Sequence, residues 1–139
     1  MEAKQMGQDW VLRLDRGDEI LESILSFCRD MNITAGSITG IGATDRAEVG
    51  VYSLSEKFYH RHLIEGDMEI ISLIGNISSK DGEPYVHLHI AMCGQDNVCV
   101  GGHLNSARIS VTGEIFIRPL EGTIGRKPDP DTNINMMQF

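Results

Sequence analysis

Gly82-Glu83-Pro84-Tyr85-Val86-His87-Leu88-His89-Ile90-Ala91-Met92-Cys93-Gly94-Gln95-Asp96-Asn97-Val98-Cys99-Val100-Gly101-Gly102-His103-Leu104 reads as two strands joined by a turn. Pro84 opens the first strand, and Gly94 to Asn97 supply the turn residues. Alternation then sorts the first strand into two faces. Val86, Leu88, Ile90 and Met92 form the apolar face, which predicts core. Tyr85, His87, His89, Ala91 and Cys93 form the other. Residues two apart on a strand lie about 6.6 Å apart on one face, so two imidazoles can converge. His103 follows Gly101-Gly102, and the hairpin brings it alongside. Three protein nitrogens plus a water is the ligand count of an open zinc site. The same spacing also fits two hydrogen-bonded strand histidines and an unrelated third. Cys93 shares the histidine face but lies about 13 Å along the strand from His89, too far to share an ion. Cys99 reads as a small core residue.

The pattern outward is mostly β. Trp10, Leu12 and Leu14 alternate in a first strand. Asp18 then suits an N-cap, and Ile20, Leu21, Ile24, Phe27, Cys28 and Met31 recur at helical spacing. Asn32 suits a left-handed end to this single helix. Strands follow at 35–42, 47–54 and 58–64, and Gly66-Asp67 reads as a turn. Met68 to Ile77 is apolar enough for a strand buried on both faces. Lys80-Asp81-Gly82 is a hairpin turn. Residues 106–120 close the sheet, with Gly113 marking a bulge. Pro128 and Pro130 keep the following segment extended, and a tail carrying Ile134, Met136, Met137 and Phe139 calls for a surface to dock on. These elements read as one helix whose apolar stripe faces a sheet, with β structure after it. They divide into a domain over 1–125 and an extended tail over 126–139, docked on its own or a neighbouring subunit.

Composition narrows the function. The 139 residues suit one domain, and the net charge is −8. No Lys/Arg cluster occurs beyond Arg126-Lys127, which disfavours direct DNA binding. No stretch reaches the roughly 20 apolar residues of a membrane span. Three cysteines without Cys-x-x-Cys spacing read as reduced thiols of a cytoplasmic protein. His60 and His62 repeat the alternate spacing, but amid Lys57, Tyr59 and Arg61 they read as a solvated face. Gly40-Ile41-Gly42 has neither a third glycine nor a following helix, so it is no dinucleotide fingerprint.

The order of pieces resembles the plants-and-prokaryotes-conserved (PPC) domain, also met in plant AT-hook proteins. The resemblance rests on residues 69–77, on Gly82 to His89, on Gly101-Gly102-His103-Leu104 and on Thr112-Gly113-Glu114. Gly40 to Ala43 and the late Arg126, Asp129 and Thr132 also fit. It implies a compact α+β fold, a mainly antiparallel sheet with one principal helix packed on it, assembled as a homotrimer, and it implies that His87, His89 and His103 hold a divalent transition metal, zinc before others. The plant proteins place their DNA contact in an Arg-Gly-Arg-Pro segment, which this chain lacks. Two functions compete: a metal-binding regulatory or assembly module, and a metal-dependent enzyme acting on a small molecule. For the enzyme, Glu69, Glu114 and Tyr85 are the candidate proton shuttles. Direct DNA binding is a third reading.

Overall fold

A computed structural model describes all 139 residues. Eight strands and one helix follow in order: β1 Glu2–Met6, β2 Asp9–Asp15, α1 Ile20–Asp30, β3 Gly36–Ser53, β4 Phe58–Lys80, β5 Glu83–Cys93, β6 Cys99–Pro119, β7 Gly125–Pro128 and β8 Asn135–Gln138. The sheet runs β1-β2-β6-β3-β4-β7-β8, and β5 pairs with both β4 and β6. All pairings are antiparallel except the single β4–β7 bridge at Ser79 and Gly125. Because β3 also pairs with β4 and β6, the strands β3, β4, β5 and β6 close into a ring of hydrogen bonds. Within the ring, β5 is paired on both edges over His89–Cys93 and with β4 alone over Glu83–Leu88.

The fold is mainly β, and the helix is smaller than the sequence pattern suggests, at 11 residues. Its stripe of Ile20, Ile24, Phe27 and Cys28 is buried, and it lies against β5 and β6. The N-cap is Glu19 rather than Asp18. Glu19 Oε2 accepts from the Glu22 amide, and Glu19 Oε1 accepts from the Ala107 amide at 2.8 Å. Asp18 instead accepts from the Asp15 amide, closing the preceding turn. Asn32 takes a left-handed φ of 53° just past the helix, as expected.

Strand lengths depart most from the pattern. The expected pair 35–42 and 47–54 is one strand, β3, with ladder irregularities at Gly40/Gly42 and Thr44/Arg46. Gly66-Asp67 does not reverse the chain. Gly66 has φ +122°, so it bends β4 while pairing to β3 continues at Glu65 and Met68. The segment 68–77 is buried on one face only. Met68, Ile70, Leu73 and Ile77 enter the core, whereas Ile71 and Ile74 are 51% and 56% exposed. β1 had no signal, since Glu2 to Met6 is exposed throughout and merely edges β2. One continuous core joins the helix stripe to Leu12, Leu14, Ile38, Leu88, Ile90, Met92 and Ile115. No helix is long and apolar enough to cross a membrane.

Candidate metal centre

The core fixes the histidines. Leu88, Ile90 and Met92 on β5 are buried, so a one-residue slip would exchange faces and expose them. His87 and His89 therefore point to the opposite face. Across the ladder, Asn76 lies opposite His87, and Ile74 and His103 flank His89. His103 in turn lies opposite Gly50 on β3. Directly opposed residues share a face, so three imidazoles meet on one patch. Their ring centroids are 4.8–5.6 Å apart. One ring nitrogen from each lies within 4.8 Å of the others. Gly101 makes the approach possible, because a Cβ there would run into the Ile90 carbonyl.

The patch is the wall of a cavity of about 610 Å³. Val51, Tyr52, Tyr59, Thr132, Asn133 and Ile134 line the remainder, over a floor of Gly50, Gly101 and Gly102. Gly50 is needed there, since a Cβ would collide with the Tyr59 ring. That ring meets His103 edge-on at 6.0 Å, and the Tyr59 hydroxyl donates to Asn105 Oδ1 at 3.1 Å. Asn105 Nδ2 is buried with no partner, leaving a donor for a water or ligand beside His103.

The tail supplies the rim. Arg126 donates to Ser78 Oγ at 2.9 Å, to Asn76 Oδ1 at 2.7 Å and to the Asn135 carbonyl at 2.8 Å. Its guanidinium also lies 5.0 Å from the Tyr85 ring centroid. Asp129 Oδ1 then accepts from the Asp131 amide, the Thr132 amide and the Thr132 hydroxyl. That turn carries Thr132 to Ile134 over the cavity. The segment thus packs on its own chain through β7 and β8.

Electrostatics favour neutral imidazoles. Burial, then the neighbouring His103, His89 and Arg126, push His87 down to about 4. Burial and His89 push His103 down as well. Both keep free lone pairs at neutral pH, as a metal ligand must. The donor set fits a divalent transition ion, because imidazole suits zinc, copper, iron and nickel. An ion held there supplies Lewis acidity and can bring a bound water to a pKa near 7.

Neither candidate carboxylate belongs to this cavity. Glu69 lies opposite Cys93 and lines a separate cavity with Arg16, Asp45 and Asp67. Glu114 lines a groove with Thr39, Ile41 and Phe116. Both carboxylates lie along the strands away from the histidines: Glu114 is far beyond His103 on β6, and Glu69 pairs with Cys93 at the turn end of β5. Tyr85 is taken up by Arg126 and Asn135. His60 contacts Glu56 and His62 is exposed, so neither joins the cluster. Cys99 is exposed rather than core, because β6 enters the core only from Leu104 onward. The tyrosine whose ring meets an imidazole of the cluster is Tyr59, which the polar run around it concealed.

Three solved structures share the fold over nearly the whole chain. A putative DNA-binding protein from Bacteroides thetaiotaomicron is 32% identical, with TM-score 0.96 and coverage of 99% of this chain and 96% of that one. A metal-containing protein from Archaeoglobus fulgidus is 34% identical, with TM-score 0.89 and coverage of 97% and 96%. A plant- and prokaryote-conserved protein from Pyrococcus horikoshii is 34% identical, with TM-score 0.88 and coverage of 97% and 94%. No curated protein is significantly similar. The family model for the Plants and Prokaryotes Conserved (PCC) domain matches residues 1–121, which include all three histidines, and the chain belongs to that family.

Proposed function

We propose that the chain is a metal-binding module in which His87, His89 and His103 hold one divalent transition ion, zinc before others, and present it to a small molecule. The carrying observation is the placement of three imidazole nitrogens within 4.8 Å of one another on the wall of a cavity. A structural zinc site is closed by four protein ligands, whereas three ligands beside a cavity leave a position for water or substrate. The metal-containing relative from Archaeoglobus fulgidus supports the same reading. Elemental analysis tests it: about one equivalent per chain is expected, retained by His60→Ala and His62→Ala and lost by His87→Ala, His89→Ala and His103→Ala. Metal lost from the first two variants and kept by the last three would place the centre elsewhere.

The working unit in this proposal is a homotrimer. Its support is an uncovered apolar strip beside the site. Thr39 lies opposite both Ile74 and Phe116, so these form one row across β4, β3 and β6, with Ile41 adjoining. Ile41, Ile74 and Phe116 are 56%, 56% and 54% exposed, and such a contiguous strip marks an association surface. Catalysis is the second reading, favoured by the Tyr59 hydroxyl in the cavity beside His103. Loss of metal-dependent turnover in Tyr59→Phe, with metal content unchanged, is its test. The net charge of −8 argues against a direct DNA contact.

A further inference from the structure

The far end of the β5–β6 hairpin carries a second pair of reactive side chains, outside the histidine cavity. Cys93 and Cys99 are direct ladder partners. Opposed residues of an antiparallel pair have Cα atoms about 4.5–5.5 Å apart, inside the roughly 4.4–6.8 Å that a disulfide spans. The turn between them is internally held. Gly94 O accepts from the Asn97 amide at 3.0 Å, and Asp96 Oδ1 accepts from the Val98 amide at 3.0 Å. The two thiols are thus in register without rearrangement. Cys99 is exposed and Cys93 half-buried, whereas Cys28 is sealed in the core.

We propose that Cys93 and Cys99 are a reversible oxidation site, closing to an intrachain disulfide at the expense of a small disulfide such as oxidised glutathione. The Cys99 thiolate attacks one sulfur of the oxidant, forming a mixed disulfide and releasing one glutathione thiolate. The Cys93 thiol then loses its proton and attacks the Cys99 sulfur, releasing the second glutathione. Two protein thiols lose two protons and two electrons, and one oxidised glutathione becomes two reduced ones. Cys99 attacks first because it is exposed. The hydrogen bond that the Cys93 thiol donates to Cys99, burial and the nearby Cys99 and Asp96 charges hold the Cys93 thiol above its usual range.

The bridge acts on the strands that deliver the histidines. The His89–His103 pair lies four ladder steps from Cys93–Cys99, with Gly101 and Gly102 between them on β6. A covalent tie at the turn end restrains this glycine segment and the backbone of His103. The proposal does not depend on a bound metal.

The full chain is incubated with excess oxidised glutathione, alkylated under denaturing conditions and weighed. Two of the three thiols are expected to disappear, with a loss of two hydrogens in mass and a linked Cys93–Cys99 peptide that dithiothreitol reopens. Cys28→Ser should close as the wild type does, and Cys93→Ser and Cys99→Ser should not. Three free thiols, a stable glutathione adduct on either cysteine of the wild type, or a link between copies would each overturn the proposal. Deuterium uptake over residues 94–103 should slow several-fold on oxidation, and unchanged uptake would overturn the restraint on His103.

Discussion

Removing one imidazole should be nearly invisible in the metal-free protein and large in the metal-loaded one. His87 projects from the core-opposite face of β5, half-buried, so His87→Ala leaves the apolar core untouched. Its cost to the metal-free fold should stay within about 1 kcal/mol. In the wild type, free zinc at a hundred times its dissociation constant adds about 2.7 kcal/mol. With about 2.1 cal/mol/K of unfolding entropy per residue, 139 residues give roughly 0.29 kcal/mol/K, so the melting temperature should rise by about 9 °C. Losing a group behind the ligands already weakens metal sites by about 10–100-fold, so losing one of three ligands should cost at least a hundredfold. At the same free zinc the stabilisation of His87→Ala then falls to about 0.4 kcal/mol, little more than 1 °C. Thermal melts of chelated and zinc-supplemented protein read this directly. A wild type that does not respond to zinc, nickel or cobalt, or a His87→Ala variant that responds equally, would refute the reasoning.

Four further outcomes are expected. The chelated protein should lose stability as pH falls from about 6.5 toward 4. In that window the unfolded state binds a proton at His87 that the folded state refuses, so stability rises with pH; equal urea midpoints at pH 7 and pH 5, or an unchanged slope in His87→Gln, would contradict this. Arg126→Ala should cost about 2–4 kcal/mol and free the tail, because one guanidinium makes three hydrogen bonds and covers Tyr85; limited proteolysis would show cleavage within residues 122–139, and Arg126→Lys should not restore protection. Ile74→Asp or Phe116→Asp should convert a trimer to monomers by light scattering, and a wild-type monomer would refute the trimer itself. DNA titration near physiological salt should give weak, sequence-independent binding at most; submicromolar selective binding would overturn that expectation.

Much of the architecture is local and therefore legible. Alternation in 86–92 identifies the buried face of β5, and that face sets where His87 and His89 point. The turn at Asp81-Gly82 announces itself because both residues take positive φ, which few other residue types accept. What failed was continuity. Gly42 and Gly66 look like strand ends in one dimension, yet each lies in a strand whose ladder continues on a partner distant in sequence. The helix cap moved from Asp18 to Glu19 for a similar reason. Glu19 satisfies both the helix amide of Glu22 and the β6 amide of Ala107, and the second contact spans 88 positions.

The amino-acid sequence by itself determined that two imidazoles share a face, that a third follows a glycine pair, and that no basic segment exists for DNA. These are properties of alternation, spacing and composition, which hold for any chain with those residues in that order. Only the tertiary structure decided what stands around the three histidines. It brought Tyr59 of β4 over Gly50 of β3, and it folded Arg126 onto Asn76 and Ser78 so that Thr132 to Ile134 rim the cavity. It also moved Glu69 and Glu114 into other surfaces and left Ile74 and Phe116 exposed. Those placements depend on the closure of β3, β4, β5 and β6 into a ring. Closure joins residues tens of positions apart through backbone hydrogen bonds that every residue type can make, so side-chain pattern alone does not encode which strand lies beside which.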